Sequence, residues 1–284
     1  MAKTQDLKRR IRSVRNTMQL TKAMKMVAAA KLRRAQETMM AARPYSHGML
    51  RVLRSLVARA EVENNPLLQS HGDRRLELVV VTGDKGLCGG FNASIIREAT
   101  QFGAAQVGAE ISINAVGKKG RDLMRSTHNV TGEWVDVFRK VEFATAKEIA
   151  KGLMERYIAQ DVDKVYLCFN EFKSAIQAKP IVQQILPIES AELEGSDGAS
   201  DYIYEPSAAA LFDKLIPSYV ENQVYRAMLE SAAAEHAARM TAMDAATSNA
   251  GELIESLTLT MNRVRQASIT TEIIEVVSGA EALG

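Results

Sequence analysis

Two stretches, one at each end of the chain, carry apolar residues at alternating steps of three and four, and that spacing leaves few possible folds. It places the apolar residues along one seam of a helix. From about Asp6 to Ala60 the seam runs Leu7, Ile11, Val14, Met18, Thr21, Lys25, Ala28, Leu32, Ala35, Met39 and Ala42, interrupted only by Thr21 and Lys25. From about Pro206 to Leu283 it runs through Ala227, Ala234, Ala238 and Ala245, then Ile254, Leu257, Met261 and Val264. Pro44 is expected to kink or restart the first helix, and Pro217 is the one expected break in the second. A helix of roughly 75 residues is roughly 110 Å long. That exceeds any compact domain of this size, so the two helices are expected to pair antiparallel, as a rod on a globular middle.

Charge is distributed unevenly. Residues 1–43 hold twelve Lys or Arg against only Asp6 and Glu37, a net charge of +10; the whole chain carries +2, so the remainder carries −8. Cations through the first turns oppose the helix dipole. A basic arm of this density points to an acidic partner. No apolar run approaches the ~20 residues of a membrane span. The opening MAKTQDLKRR has no apolar core of the signal-peptide kind. Cys88 and Cys168 lie far apart in core-like segments, which reads as reduced, cytosol-facing usage. The four histidines make no metal-ligand spacing.

Between the helices the period changes. Leu76 to Val81 (LELVVV) reads as a buried strand, 82–92 as a glycine-rich turn, 93–107 as a helix, and Glu110 to Val116 as a strand. A turn at 117–120 and a short helix to about Ser126 follow. Residues 128–138 are ambiguous. A helix over 144–160, a strand over 163–170 and an edge strand over 180–188 come next. Strand–helix alternation implies a small, mostly parallel sheet with flanking helices. Residues 189–201 are acidic and small, hence a linker, and YIYE (202–205) a last extended piece. The expected domains are 1–60, 72–200 and 205–284.

The one motif that invites chemistry is GDKGLCGGFN, after a strand and before a helix, where phosphates are often cradled. It has neither the Gly-Lys-Ser/Thr ending of a P-loop nor the GxGxxG spacing, so it reads as a tight turn. Cys88 within it has no evident histidine and reads as a buried small residue. No paired carboxylates suggest acid–base catalysis, and neither metal nor cofactor is expected. Met18 and Met39 belong to the seam. Met24 and Met26 fall off it and are left for a partner. The polar run from Asn262 to Glu272, flanked by Ile269, Ile273, Ile274, Val276 and Val277, leaves apolar side chains on more than one side, as in a helix enclosed by other protein.

Three segments, IRSVRNTMQLTKAMKMVAAAKLRRAQ, TGDKGLCGGFN and ITTEIIEVVSGAEAL, resemble in order the gamma subunit of F-type ATP synthases, in its bacterial form. The likeness covers essentially the whole chain. It implies a non-catalytic central-stalk rotor: the terminal helices form a coiled coil inside a hexamer of alpha and beta subunits. A Rossmann-like middle sits at the foot with the epsilon subunit, against a membrane ring of c subunits on the cytoplasmic face of the cell membrane. It implies shaft contacts at Lys8, Arg9, Arg12, Met24, Lys25, Arg265, Gln266 and Thr270, and foot contacts at Tyr204 and Glu205. The middle lacks the inserted cysteine pair of photosynthetic relatives, so no redox switch is expected. The competing reading is a basic coiled-coil nucleic-acid binder, with Lys8 to Arg15 on phosphates and affinity falling steeply with salt.

Overall fold

The computed structural model describes residues 2–57, 65–174, 177–188, 205 and 207–281. They form two compact units, Met1–Ala28 with Arg239–Gly284, and Ala29–Ala238. Helix α1 (Ala2–Val57) and the last helix, α5 (Ala208–Glu281), contribute to both.

In the first unit the seam is where the spacing predicts it. Ile11, Thr21 and Ala28 are buried, and Leu7, Val14, Met18 and Lys25 are half-buried. Both polar interruptions are matched from α5: Thr21 Oγ1 lies 2.8 Å from Thr247 Oγ1, and Lys25 Nζ donates to Asp244 Oδ1 at 2.6 Å. As the α1 number rises the α5 number falls, so the helices run antiparallel, and opposed positions have numbers adding up to about 268. That register sets Leu7 against Met261, Ile11 against Leu257, Val14 against Ile254 and Met18 against Ala250; all eight are buried or half-buried. On α5 the seam differs from expectation at Ala245, which is exposed, while Met243 and Ala250 are buried and Thr247 half-buried. Alanine is as acceptable on a solvated helix face as on a seam, so an alanine repeat does not fix the phase.

The prolines do not break the helices. Pro44 lies within α1 and Pro217 within α5. Pro44 is exposed, so the Met40 carbonyl that loses its N–H partner can turn to water. Burial of Met39, Met49 and Leu53 on the opposite side offsets the ~3 kcal/mol that an interior proline costs.

The second unit is built on a five-stranded sheet of order β3-β2-β1-β4-β5. The strands are β1 (Arg75–Val81), β2 (Glu110–Val116), β3 (Asn129–Trp134), β4 (Lys164–Phe172) and β5 (Ala178–Leu186). The first four are parallel to their neighbours and β5 is an antiparallel edge. Helices α2 (Phe91–Ala105), α3 (Lys118–Met124) and α4 (Phe143–Ile158) connect them. The ambiguous stretch 128–138 resolves into β3 and a 3-10 turn at Val137–Arg139. NVTGEW carries no apolar run because it is an edge strand whose residues alternate between exposed and half-buried. The linker 189–201 and the extended piece 202–204 lie outside the described residues.

The apolar run of β1 is central and covered on both faces, with one polar member. Glu77 is fully buried; its carboxylate accepts from Arg156 Nη1 and, at 2.8 Å, from Thr131 Oγ1. Just past the end of β2, Gly117 has φ +101°, and a Cβ there would sit 2.0 Å from the carbonyl oxygen of Thr82, the residue that follows β1, so only glycine fits. The core gathers Met49, Leu53 and Leu56 of α1, Val79 and Leu167 of the sheet, Leu153 of α4, and Ile216, Val220 and Val224 of α5.

Leu257→Asp places a carboxylate on the seam opposite Ile11, which costs ~1–3 kcal/mol. The expected outcome is a lower first melting transition followed by circular dichroism at 222 nm, with the sheet unit intact. An unchanged melt would place Leu257 outside the seam. A second expectation concerns Asp163. Burial pushes its carboxyl upward, but hydrogen bonds from the Arg75 guanidinium and the N–H groups of Arg75 and Arg74 outweigh that and hold it below the ordinary range. A carboxyl depressed in the folded state stabilises the fold above its unfolded pKa of ~3.9, and that stability is lost as pH falls below it. Asp163→Asn should therefore weaken the chain at pH 7 and flatten the acid limb of a stability-versus-pH curve measured by urea unfolding.

Candidate functional site

The glycine-rich turn is built for structure. Asn92 Oδ1 accepts the Gly83 N–H at 2.8 Å, and its amide nitrogen reaches the Lys85 carbonyl at 3.4 Å. Leu87 and Gly89 take left-handed backbone with φ 59° and 55°. A Cβ on Gly83 would meet the Glu235 carboxyl carbon at 2.9 Å, so the turn fits closely against α5. The Asp84 carboxylate accepts the N–H groups of Lys118 and Asp136 at 3.0 Å and of Phe138 at 3.3 Å. The Asp84 side chain thereby ties the turn to the segments that follow β2 and β3. Cys88 is buried beneath the turn. Cys168 is buried too, and burial pushes its thiol up to about 12, away from nucleophilic use at neutral pH. Among the described residues no His, Cys, Asp and Glu cluster could hold a metal ion. The purified chain is therefore expected to show no saturable micromolar ATP binding by calorimetry; such binding would restore the turn as a nucleotide site.

The outer faces of the long helices are different in kind. Lys8, Arg9 and Arg12 project from α1 as exposed side chains, because the seam takes every third or fourth position and leaves the cations outside. Met24 is half-buried, while Leu20, Met26 and Val27 are 57–62% exposed. Lys25, expected on a partner, is engaged by Asp244 of its own chain; the spacing alone could not reveal a cross-helix partner more than two hundred residues away. On α5, Arg265 and Gln266 are exposed, and exposed Thr270 turns its hydroxyl back onto the Gln266 carbonyl at 3.0 Å.

The register carries a further consequence. Ala2 stands opposite Gln266, so among the described residues no length of α1 lies beside α5 beyond that point. Every side chain described from Ile269 to Ala280 is exposed, including Ile269, Ile273, Ile274, Val276 and Val277. Ile273 and Ile274 are successive residues pointing about 100° apart, so the helix is apolar on more than one side, as its sequence predicts. Of the expected foot contacts, Glu205 is exposed and Tyr204 lies outside the described residues. Among the described residues no helix is long and apolar enough to cross a membrane.

Comparison with known proteins gives the helices a context. The family described as ATP synthase matches residues 3–283. The ATP synthase gamma chain of Pelotomaculum thermopropionicum is 47% identical over the full length of both chains, and that of Solibacter usitatus is 52% identical over 98% of each. In a structure of the central stalk and c-ring of the Tetrahymena thermophila mitochondrial ATP synthase, one chain has a TM-score of 0.61 and 28% identity. The match covers 80% of this chain and 99% of that one. A rotor chain of the Euglena gracilis mitochondrial enzyme, 17% identical, shares the fold with a TM-score of 0.67 over 94% of this chain and 99% of that one. None of these favours the nucleic-acid reading of the basic arm. The antiparallel helices, the mostly parallel sheet and the full-length match agree: the chain belongs to the ATP synthase gamma chain family, the central-stalk rotor subunits of F-type ATP synthases.

Proposed function

We propose that this chain is the non-catalytic shaft through which ion flow at a membrane ring of c subunits drives the beta subunits of the catalytic hexamer through their changes of affinity, with ATP made on beta. The observation that carries the reading is the unaccompanied end of α5. Isoleucines and valines exposed around a single helix are a costly surface in water, and enclosure within a sleeve of alpha and beta subunits removes that cost. The exposed cations Lys8, Arg9 and Arg12 suit acidic segments of the sleeve. In this reading Met24, Arg265, Gln266 and Thr270 also meet the sleeve. Lys25 acts there through a side chain already tied to Asp244. Tyr204 and Glu205 meet the c ring, the epsilon subunit packs on the sheet unit, and the assembly lies on the cytoplasmic face of the bacterial membrane.

The two sets of contacts fail differently. A charged hydrogen bond made by Arg265 and buried in the sleeve contributes ~1.5–3 kcal/mol, so Arg265→Ala should slow ATP hydrolysis by the detached soluble complex about tenfold or more. Glu205→Lys should leave that complex near normal and reduce ion pumping per ATP hydrolysed in membrane vesicles. Equal slowing of the detached complex by both variants would refute the assignment of shaft and foot.

A further inference from the structure

Within the unit Ala29–Ala238, α1 and α5 enclose a cavity of about 420 Å³ that the rotor contacts do not use. One face of α5 lines it with Asn222, Gln223, Arg226 and Glu230, spaced so that all four reach the same side. Three of their buried atoms have no hydrogen-bond partner: Asn222 Nδ2, Gln223 Oε1 and Arg226 Nε. Asn222 is more than nine-tenths buried, and Ser46 Oγ donates to its Oδ1 at 3.2 Å, which leaves the amide nitrogen unused. A buried polar group without a partner is destabilising, and such groups in a folded protein call for an explanation.

Arg226 and Glu230 stand one helical turn apart but do not close on each other. Their nearest atoms, Nε and Oε1, are 3.8 Å apart, too far for a hydrogen bond. Each is held elsewhere: Arg226 Nη2 donates to Gln183 Oε1 at 2.6 Å, and Glu230 Oε2 accepts the Phe172 N–H at 3.3 Å. With Arg43 of α1, whose charge also acts on Glu230, the cavity sets positive donors and one negative acceptor around an unused amide donor and an unused amide acceptor. Met39, Met49 and Leu229 supply apolar wall.

We infer that this cavity binds a small zwitterion with an apolar side chain, an α-amino acid of the leucine or methionine kind. Its carboxylate accepts from Arg226 Nε and Asn222 Nδ2, its ammonium donates to Gln223 Oε1 and the Glu230 carboxylate, and its side chain lies along Met39, Met49 and Leu229. The volume falls within the ~300–1,000 Å³ of small-ligand pockets. Water could meet the polar atoms but not the apolar wall. The site is independent of the rotor contacts, so the failure of either reading leaves the other standing.

The test uses the purified full-length chain and ligand-observed NMR with L-leucine, isovalerate, isoamylamine and N-acetyl-leucine amide. Leucine should bind saturably, and the three analogues, each lacking one or both charges, should bind at least about tenfold more weakly. Gln223→Leu and Arg226→Met should each weaken leucine at least about tenfold, and Arg125→Ala should not. The ligand series needs no variant, so a variant that fails to fold does not spoil the result. Absence of saturable leucine and methionine binding at millimolar concentration in the folded chain would leave the cavity to water and overturn the inference. Equal binding of the uncharged amide would overturn it as well.

Discussion

Neither end of this chain can carry its apolar seam through water alone; each helix persists because something covers that seam. In the first unit the cover is thin: alanines and half-buried aliphatics, with buried positions about two to three turns apart. A contact of this kind gives modest stability per residue and little preference between one alignment and the next. The polar pairs therefore matter for alignment more than for strength. Lys25–Asp244 is largely exposed and stabilises little, yet with Thr21–Thr247 it favours one register among several that an alanine-rich seam would otherwise tolerate. In the second unit the cover is a full core. There Leu53 and Leu56 of α1 and Ile216, Val220 and Val224 of α5 share one cluster with the sheet and α4.

The sheet unit shows a second solution, in which three carboxylates are each held by several hydrogen bonds. Glu77, Asp84 and Asp163 each accept two or more hydrogen bonds. Glu77 joins β1 to β3 and α4, Asp84 joins the ends of three loops, and Asp163 joins the start of β4 to that of β1. A buried carboxylate with every partner in place fixes geometry without leaving an unpaired charge.

Much of this was legible in the sequence, and what was not has physical causes. The α1 seam could be read from Leu7 to Ala42 because its large residues mark the phase; the α5 seam went astray at Ala245 because alanine marks none. LELVVV announced a central strand, but the partners of its glutamate, Thr131 and Arg156, lie 54 and 79 residues away. NVTGEW reads as ambiguous because an edge strand needs no apolar run. Proline suggested a break at Pro44 where packing on the opposite face keeps the helix whole. Arg265, Gln266 and Glu205, which we propose meet partners, are marked only by resemblance to a family, since an exposed side chain shows nothing of a partner by itself. The cavity beside Arg226 had no sequence signal: its residues come from two helices and become a group only once the chain has folded.

The antiparallel register also governs which changes of length the chain can accept. One residue added to α1 just before Thr21 would turn the segment from Leu7 to Met18 by about 100° relative to the rest of the helix, carrying its seam away from α5 at once. A side chain on the seam can be exchanged for another of similar bulk at small cost. A change of count is not local: seven added residues there would restore the facing but slide every opposed pair from Leu7 to Met18 along by two turns and alter how far α5 outruns α1. The two helices thus behave as rulers whose graduations are fixed, and a change of length costs less in the segments that connect the strands.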